Sequence, residues 1–131
     1  MSVVFSNNAV TTLANALDST ATSMTVVDGS QFPAISGSNF TFITLQDNSQ
    51  NREIVKVTNI SGNVFTIVRA QDNTTASSFS IGDKVELRLT AALLSQIDQI
   101  VTLDKSGTAE VTGTYPNFTI SAPTVTSAFT N

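Results

Sequence analysis

The first two thirds of the chain consist of short β-compatible segments, and in the clearest of them apolar and polar residues alternate with a period of two. Such alternation predicts β-strands that have one face in a core and the other toward solvent. Clusters of Asp, Ser, Thr and Gly separate the segments and predict turns between them. The predicted strands are residues 11–17, 23–27, 40–45, 52–58, 64–69 and 84–89.

The strongest local signal is a hairpin over residues 52–69. Its first strand places Glu53, Val55 and Val57 on one face, and places the alternate residues from Arg52 to Thr58 on the other. The run Ser61-Gly62-Asn63 is a tight-turn signal, and the β-branched and aromatic residues that follow predict the returning strand.

The segment 84–89 alternates again. Its predicted inward residues are Val85, Leu87 and Leu89, and its predicted outward residues are Lys84, Glu86 and Arg88. Earlier in the chain, residues 40–45 form a predicted strand that is apolar on both faces at one end.

From residue 90 to residue 103 the period of the apolar positions changes to that of a helix, with Thr90 as the predicted N-cap. The apolar positions are Leu93, Leu94, Ile97, Ile100 and Val101. One interpretation is a helix packed on the β-domain. The other is an interchain helix, because Leu93, Ile97 and Ile100 have the spacing of a coiled-coil seam, although fewer than two heptads cannot drive assembly alone.

Residues 104–131 carry no charge after Glu110 and consist largely of Thr, Ser and Ala. This stretch has too few large apolar residues to enclose a core, so it is either a flexible tail or an extended arm that finds its partners in other chains, and we expect the arm. Together with Leu93, Ile97 and Ile100 of the helix, the predicted interchain contacts are Tyr115, Pro116, Phe118 and Ile120.

These patterns predict a mainly β protein. A small antiparallel sandwich or barrel at 1–89 is followed by one short helix at 90–103 and an extended C-terminal arm at 104–131. The composition agrees, because Thr, Ser and Asn supply the polarity and charged residues are only 12% of the chain.

The chemistry available to this chain is narrow. It has no Cys and no His, so thiolate, imidazole and Ser-His-Asp chemistry are excluded, and we expect no cofactor and no metal. Its net charge of −4 argues against nucleic-acid binding. Glu53, Glu86 and Glu110 are candidates for the two carboxylates of a glycosidase, and the polar loop at 47–51 is a candidate calcium loop. The sequence favours strand charges and a solvated hairpin loop instead, and hence no enzymatic activity.

Much of the charge lies in the hairpin and the loop behind it, at Arg52, Glu53, Lys56, Arg69 and Asp72. One interpretation is that these charges give solubility and protect strand edges. The other is a charge-paired contact between subunits. The N-terminus has no signal-peptide pattern and no apolar run is long enough for a membrane span, so we expect synthesis in the cytoplasm and no membrane association.

Three motifs occur in order along the chain and carry a resemblance to a known family. They are Asn51-Arg52-Glu53-Ile54-Val55-Lys56-Val57, Val68-Arg69-Ala70-Gln71 and Gly82-Asp83-Lys84-Val85-Glu86-Leu87-Arg88-Leu89-Thr90-Ala91-Ala92. The chain resembles the small β-domain of tail-fibre and other tail structural proteins of tailed bacteriophages. Its one departure within these motifs is Ala70, where the family pattern has Gly.

The run 113–120 is similar to a second recurrent phage-fibre element, which leads into a trimeric shaft or a receptor-binding head. The few residues after Ile120 leave no room for such a head, so we expect an adaptor, collar or attachment role rather than host recognition. The resemblance thus implies a non-enzymatic virion protein of the tail, fibre or baseplate. Its expected partners are further copies of itself, with a trimer favoured, and other virion structural proteins.

Two other functions stay open from the sequence. One is a capsid decoration or head-fibre protein. The other is a host-glycan-binding module, which is disfavoured because the chain has no Trp and one Tyr.

Overall fold

The computed structural model describes residues 2–100, 110–114 and 117–121, with side chains up to residue 96. The chain divides into two compact units, Met1–Ile100 and Val101–Asn131. The first holds six strands and one helix: β1 (Val10–Thr12), β2 (Ser23–Thr25), β3 (Thr41–Gln46), β4 (Arg52–Ser61), β5 (Val64–Gln71), β6 (Lys84–Glu86) and α1 (Ala91–Ile100).

The six strands form one antiparallel sheet in the order β1-β6-β3-β4-β5-β2, which curls into a half-barrel. Its two edge strands meet at an antiparallel bridge between Leu13 and Val26. The Ala14 N–H donates to the Thr25 carbonyl (2.9 Å), and the Val27 N–H donates to that of Thr12 (3.0 Å). The prediction of a mainly β, antiparallel fold with one short helix is therefore confirmed.

The inner face of the sheet encloses the main hydrophobic core, because alternate residues of every strand point inward. Burial of each large side chain there contributes about 1.5–3 kcal/mol to folding. Its members include Leu13, Ile43, Leu45, Val55, Phe65, Ile67 and Phe79.

The outer face carries a second, smaller core beneath α1. Phe40 and Phe42 pack edge to face there, with ring centroids 5.6 Å apart, and Leu93 of the helix covers them. Strand β3 is consequently buried on both faces, which accounts for the apolar residues on both faces of 40–45.

The helix begins where the sequence indicates. The Thr90 hydroxyl accepts a hydrogen bond from the Leu93 N–H (3.2 Å), which confirms the predicted N-cap. A second cap comes from outside the helix, because the Asp72 carboxylate, in the loop after β5, accepts from the Ala92 N–H (3.1 Å). The described helix ends at Ile100, and residues 101–103 of the predicted helix lie outside the described residues.

The predicted hairpin is confirmed as β4 and β5. A two-residue turn joins them, and Gly62 takes its first position with φ +59, a left-handed conformation that favours glycine. The second unit contains a smaller hairpin of β7 (Glu110–Thr114) and β8 (Asn117–Ser121), in which Phe118 pairs with Gly113 and Ile120 pairs with Val111.

Strand β6 is shorter than predicted. Val85 is buried and Leu87 is partly buried, but Leu89 is 72% exposed and the prediction that it faces inward is wrong. The physical reason is that the strand ends at Glu86, so the alternation of faces no longer applies to the segment that leads to the helix.

Candidate functional site

The only ionised side chain that the described residues bury completely is that of Glu53. It shares the inner face of β4 with Val55 and Val57 and is 0% exposed. Arg69 of β5 donates two hydrogen bonds to its carboxylate, from Nε to Oε1 at 2.8 Å and from Nη2 to Oε2 at 2.7 Å. The backbone N–H groups of Ala70 (2.9 Å) and Ser77 (3.0 Å) donate to the same carboxylate.

Arg69 links this carboxylate to two separate loops, the β1–β2 connection and the β5–β6 connection. It also donates to the backbone carbonyls of Asp18, Ala21 and Ser77. Burial alone would raise the pKa of Glu53, but the hydrogen bonds from Arg69, Ala70 and Ser77, together with the positive charge of Arg69, lower that pKa below its ordinary value of 4.5. Glu53 is therefore a structural anion.

This arrangement corrects the interpretation of the hairpin charges. Neither solvated edge protection nor a contact between subunits describes Glu53 and Arg69, because they pair within one chain and the side chain of Arg69 is only 9% exposed. The inward parity of Glu53 was visible in the sequence. The partner was not, because it depends on the register of β5 against β4.

The other carboxylates that the sequence analysis considered either form hydrogen bonds or ion pairs near their own position in the chain or lie in the second unit. Glu86 pairs with Arg88 at 2.6 Å, half-exposed at the end of β6. Asp47 accepts hydrogen bonds from the Ser49 and Asn51 N–H groups (both 2.9 Å) within the β3–β4 loop, which confirms that loop as a hairpin connection. Glu110 begins β7 in the second unit.

An apolar groove of about 260 Å³ opens beside the helix on the outer face of the first unit. Leu87, Leu89 and Leu93 line it together with Phe5 and the polar residues Ser6, Asn7 and Asn8. Phe5 is 53% exposed and Leu89 is 72% exposed. Such adjacent large apolar side chains mark an interaction surface.

A second groove of about 350 Å³ lies on the other side of Leu89. It differs in chemistry, because two of the six basic residues of the chain, Arg52 and Arg88, line it. The remaining lining residues are Thr44, Ile54, Thr74, Leu89 and Thr90. Sequence reasoning missed this juxtaposition, because only the sheet register places Thr44 opposite both Ile54 of β4 and Glu86 of β6.

The residues predicted to make interchain contacts fall into three groups. Leu93 is 4% exposed and finds its apolar partners, Val3, Phe40 and Phe42, in its own chain, so the interpretation of a helix packed on the β-domain accounts for it. Ile97 and Ile100 lie on α1, and Phe118 and Ile120 lie two residues apart on β8. Tyr115 and Pro116 lie outside the described residues.

Within the described residues, no group of three or more Asp and Glu side chains is placed to hold a metal ion. The helix that the structure describes is not long and apolar enough to cross a membrane. Comparison with models of protein families and with curated protein sequences finds no match to this chain.

Proposed function

We propose that this chain is a non-enzymatic structural protein of a tailed-bacteriophage virion, with a place in the tail, fibre or baseplate. The observation that carries the proposal is the role of the motifs behind the family resemblance. Glu53 of the first motif accepts hydrogen bonds from Arg69 and Ala70 of the second motif. Asp72, which directly follows the second motif, caps the helix that begins at the end of the third motif. The motifs thus describe one connected scaffold.

The exposed apolar surface supports a role in assembly. Phe5 and Leu89 leave a large part of their side chains uncovered in one groove, and covering such groups contributes about 1.5–3 kcal/mol each. The proposed partners are further copies of the chain, in a trimer, and neighbouring virion proteins. Three-fold symmetry comes from the fibre resemblance.

A map of the intact particle tests the location. In the tailed phage that encodes this chain, we expect the six-stranded unit in density of the tail, collar or baseplate. Density on the capsid surface would favour a decoration or head-fibre protein instead. Absence of the chain from purified particles would refute the virion assignment.

Mass measurement of the isolated protein tests the assembly. We expect an oligomer for the full chain and a folded monomer for a chain that ends at Ile100, by native mass spectrometry. The cut belongs after Ile100 because removal of Leu93 would uncover Phe40 and Phe42. If the shortened chain forms an oligomer with the same number of copies as the full chain, the contacts lie in the first unit.

Substitution of the apolar surface gives a second assembly test. The double variant Phe5→Ser and Leu89→Ser should weaken association, whereas Val27→Ser with Val68→Ser, also exposed but outside the groove, should not. Equal effects of the two pairs would show that this surface has no special role.

Catalysis and glycan recognition are tested directly. We expect no cleavage of host polysaccharide and no signal on a glycan array. Activity abolished by Glu86→Gln or Glu110→Gln would refute the non-enzymatic assignment. These two variants are suitable because neither removes the buried Glu53.

A further inference from the structure

The groove lined by Arg52 and Arg88 has unused hydrogen-bond donors on both of its basic side chains. Arg52 donates through Nε to Gln46 Oε1 (3.1 Å), and among the described residues it has no carboxylate partner. Arg88 uses Nε (2.7 Å) and Nη2 (2.6 Å) on Glu86, which holds its guanidinium in place and leaves Nη1 available.

Thr44 adds a third, independent feature of the groove. Its side chain is 3% exposed and lines the groove between β4 and β6. No hydrogen bond joins its hydroxyl to another of the described residues, whereas the neighbouring Thr74 hydroxyl bonds to Ile54 and Gln71. The hydroxyl faces the groove that the two guanidinium groups line, and it therefore adds a neutral hydrogen-bonding group to a site whose charged groups suit an anionic ligand.

The charge balance specifies the ligand class. Arg52, Arg88 and Glu86 sum to one positive charge, which matches a single carboxylate better than a doubly charged phosphate. Guanidinium groups bind carboxylates with paired, charge-assisted hydrogen bonds. No aromatic residue lines the groove, and Leu89 joins it to the apolar groove, so an acidic residue beside a large apolar residue fits better than a sugar.

We infer that this groove binds an Asp or Glu side chain of a second copy of the chain. The chain has ten acidic and six basic residues, so copies carry surplus carboxylates. Three of these follow the start of the helix and adjoin large apolar residues, in the pairs Ile97-Asp98, Leu103-Asp104 and Glu110-Val111. The inference rests on the proposed self-association for the source of the carboxylate.

The test is sedimentation equilibrium of the full chain at low and high salt. Arg52→Gln and Arg88→Gln should each weaken self-association about tenfold, the effect of losing one charge-assisted hydrogen bond. Thr44→Val, which preserves the volume of the side chain and the Glu86–Arg88 pair, should weaken it severalfold. The control Lys84→Gln removes a charge from the exposed part of β6 outside the groove and should change it less than about twofold. Addition of acetyl-Leu-Asp-amide should compete with self-association, and acetyl-Leu-Asn-amide should not.

Several results would overturn the inference. They are no self-association of the wild type, an equal effect of Lys84→Gln, or equal competition by the Asn peptide. Competition by glucuronate that exceeds that of the Asp peptide would assign the groove to an acidic sugar instead. None of these results changes where the chain lies in a particle, so failure here is distinguishable from failure of the virion assignment.

Discussion

The backbone N–H of Ala70 donates to Glu53 Oε1 at 2.9 Å, and Ala70 makes this contact with a left-handed backbone, at φ +54. Asp72 and Asn73, just after it, are also left-handed. Residues 70–73 thus direct one N–H toward the buried carboxylate and place the Asp72 side chain at the N-terminus of the helix. One irregular stretch therefore joins the core to the helix.

Replacement of Ala70 by glycine should stabilise the protein. A side chain in the left-handed region costs about 1–2 kcal/mol, and glycine removes that cost while it adds about 0.5–1 kcal/mol of unfolded-chain entropy. We expect a gain of up to about 1 kcal/mol in the free energy of unfolding, measured with urea. The control Ala34→Gly, at an exposed loop position without a positive φ, should be destabilising. A loss of stability in Ala70→Gly would contradict this account of the strain.

Stability should fall in acid because of Glu53. Its pKa is lower in the folded protein than in the unfolded chain, so the carboxylate stabilises the fold fully above pH 4.5, and that contribution disappears as the pH falls through the folded pKa. The difference in unfolding free energy between wild type and Glu53→Gln should therefore be largest near neutral pH and should shrink below pH 4.5. A difference that does not depend on pH would contradict this prediction.

At neutral pH, Glu53→Gln should cost about 3–5 kcal/mol, because it leaves Arg69 buried without its partner. The matched control is Glu86→Gln, which breaks the half-exposed pair with Arg88 and should cost less than about 1 kcal/mol. Chemical denaturation of both variants at one pH provides the comparison. Similar losses in the two would show that burial does not set the strength of the Glu53 pair.

Thr41→Val should raise stability. The Thr41 hydroxyl is buried in the main core and has no hydrogen-bond partner among the described residues. Valine has nearly the same volume and no polar group, so we expect a gain of about 1 kcal/mol in the free energy of unfolding. The control Thr66→Val, on the exposed face of β5, should change stability by less than about 0.5 kcal/mol.

Gly29→Ala should destabilise the protein through a steric clash. A Cβ at this position would lie 2.5 Å from the Gly62 carbonyl oxygen and 3.0 Å from Cε1 of Phe65. The first neighbour is backbone of the β4–β5 turn, so relief requires a shift of the hairpin, and overpacking of this kind costs about 1–3 kcal/mol. Gln31→Ala, on an exposed side chain two residues away, is the control. Thermal melts of both variants would decide, and equal melting temperatures would contradict the clash.

The strands and the helix start could be predicted because each rests on local chemistry. Alternation identified β4, and a hydroxyl at residue 90 identified the cap. Leu89 was mispredicted because alternation does not indicate where a strand leaves its sheet. The pairing of Glu53 with Arg69 and the meeting of Thr44 with Arg52 and Arg88 depend on strand register and order, which connect residues far apart in sequence.

The bridge between Leu13 and Val26 has a consequence for a protein held in many copies at close quarters. A sheet with two free edges can be extended by any neighbour that offers a strand, and crowding makes such templated growth faster. Here the two edges occupy each other at that bridge. A strand from a neighbouring molecule therefore finds neither edge of the six-stranded sheet free at this bridge, so recognition through this unit depends on side chains, which are specific to a partner in a way that backbone pairing is not.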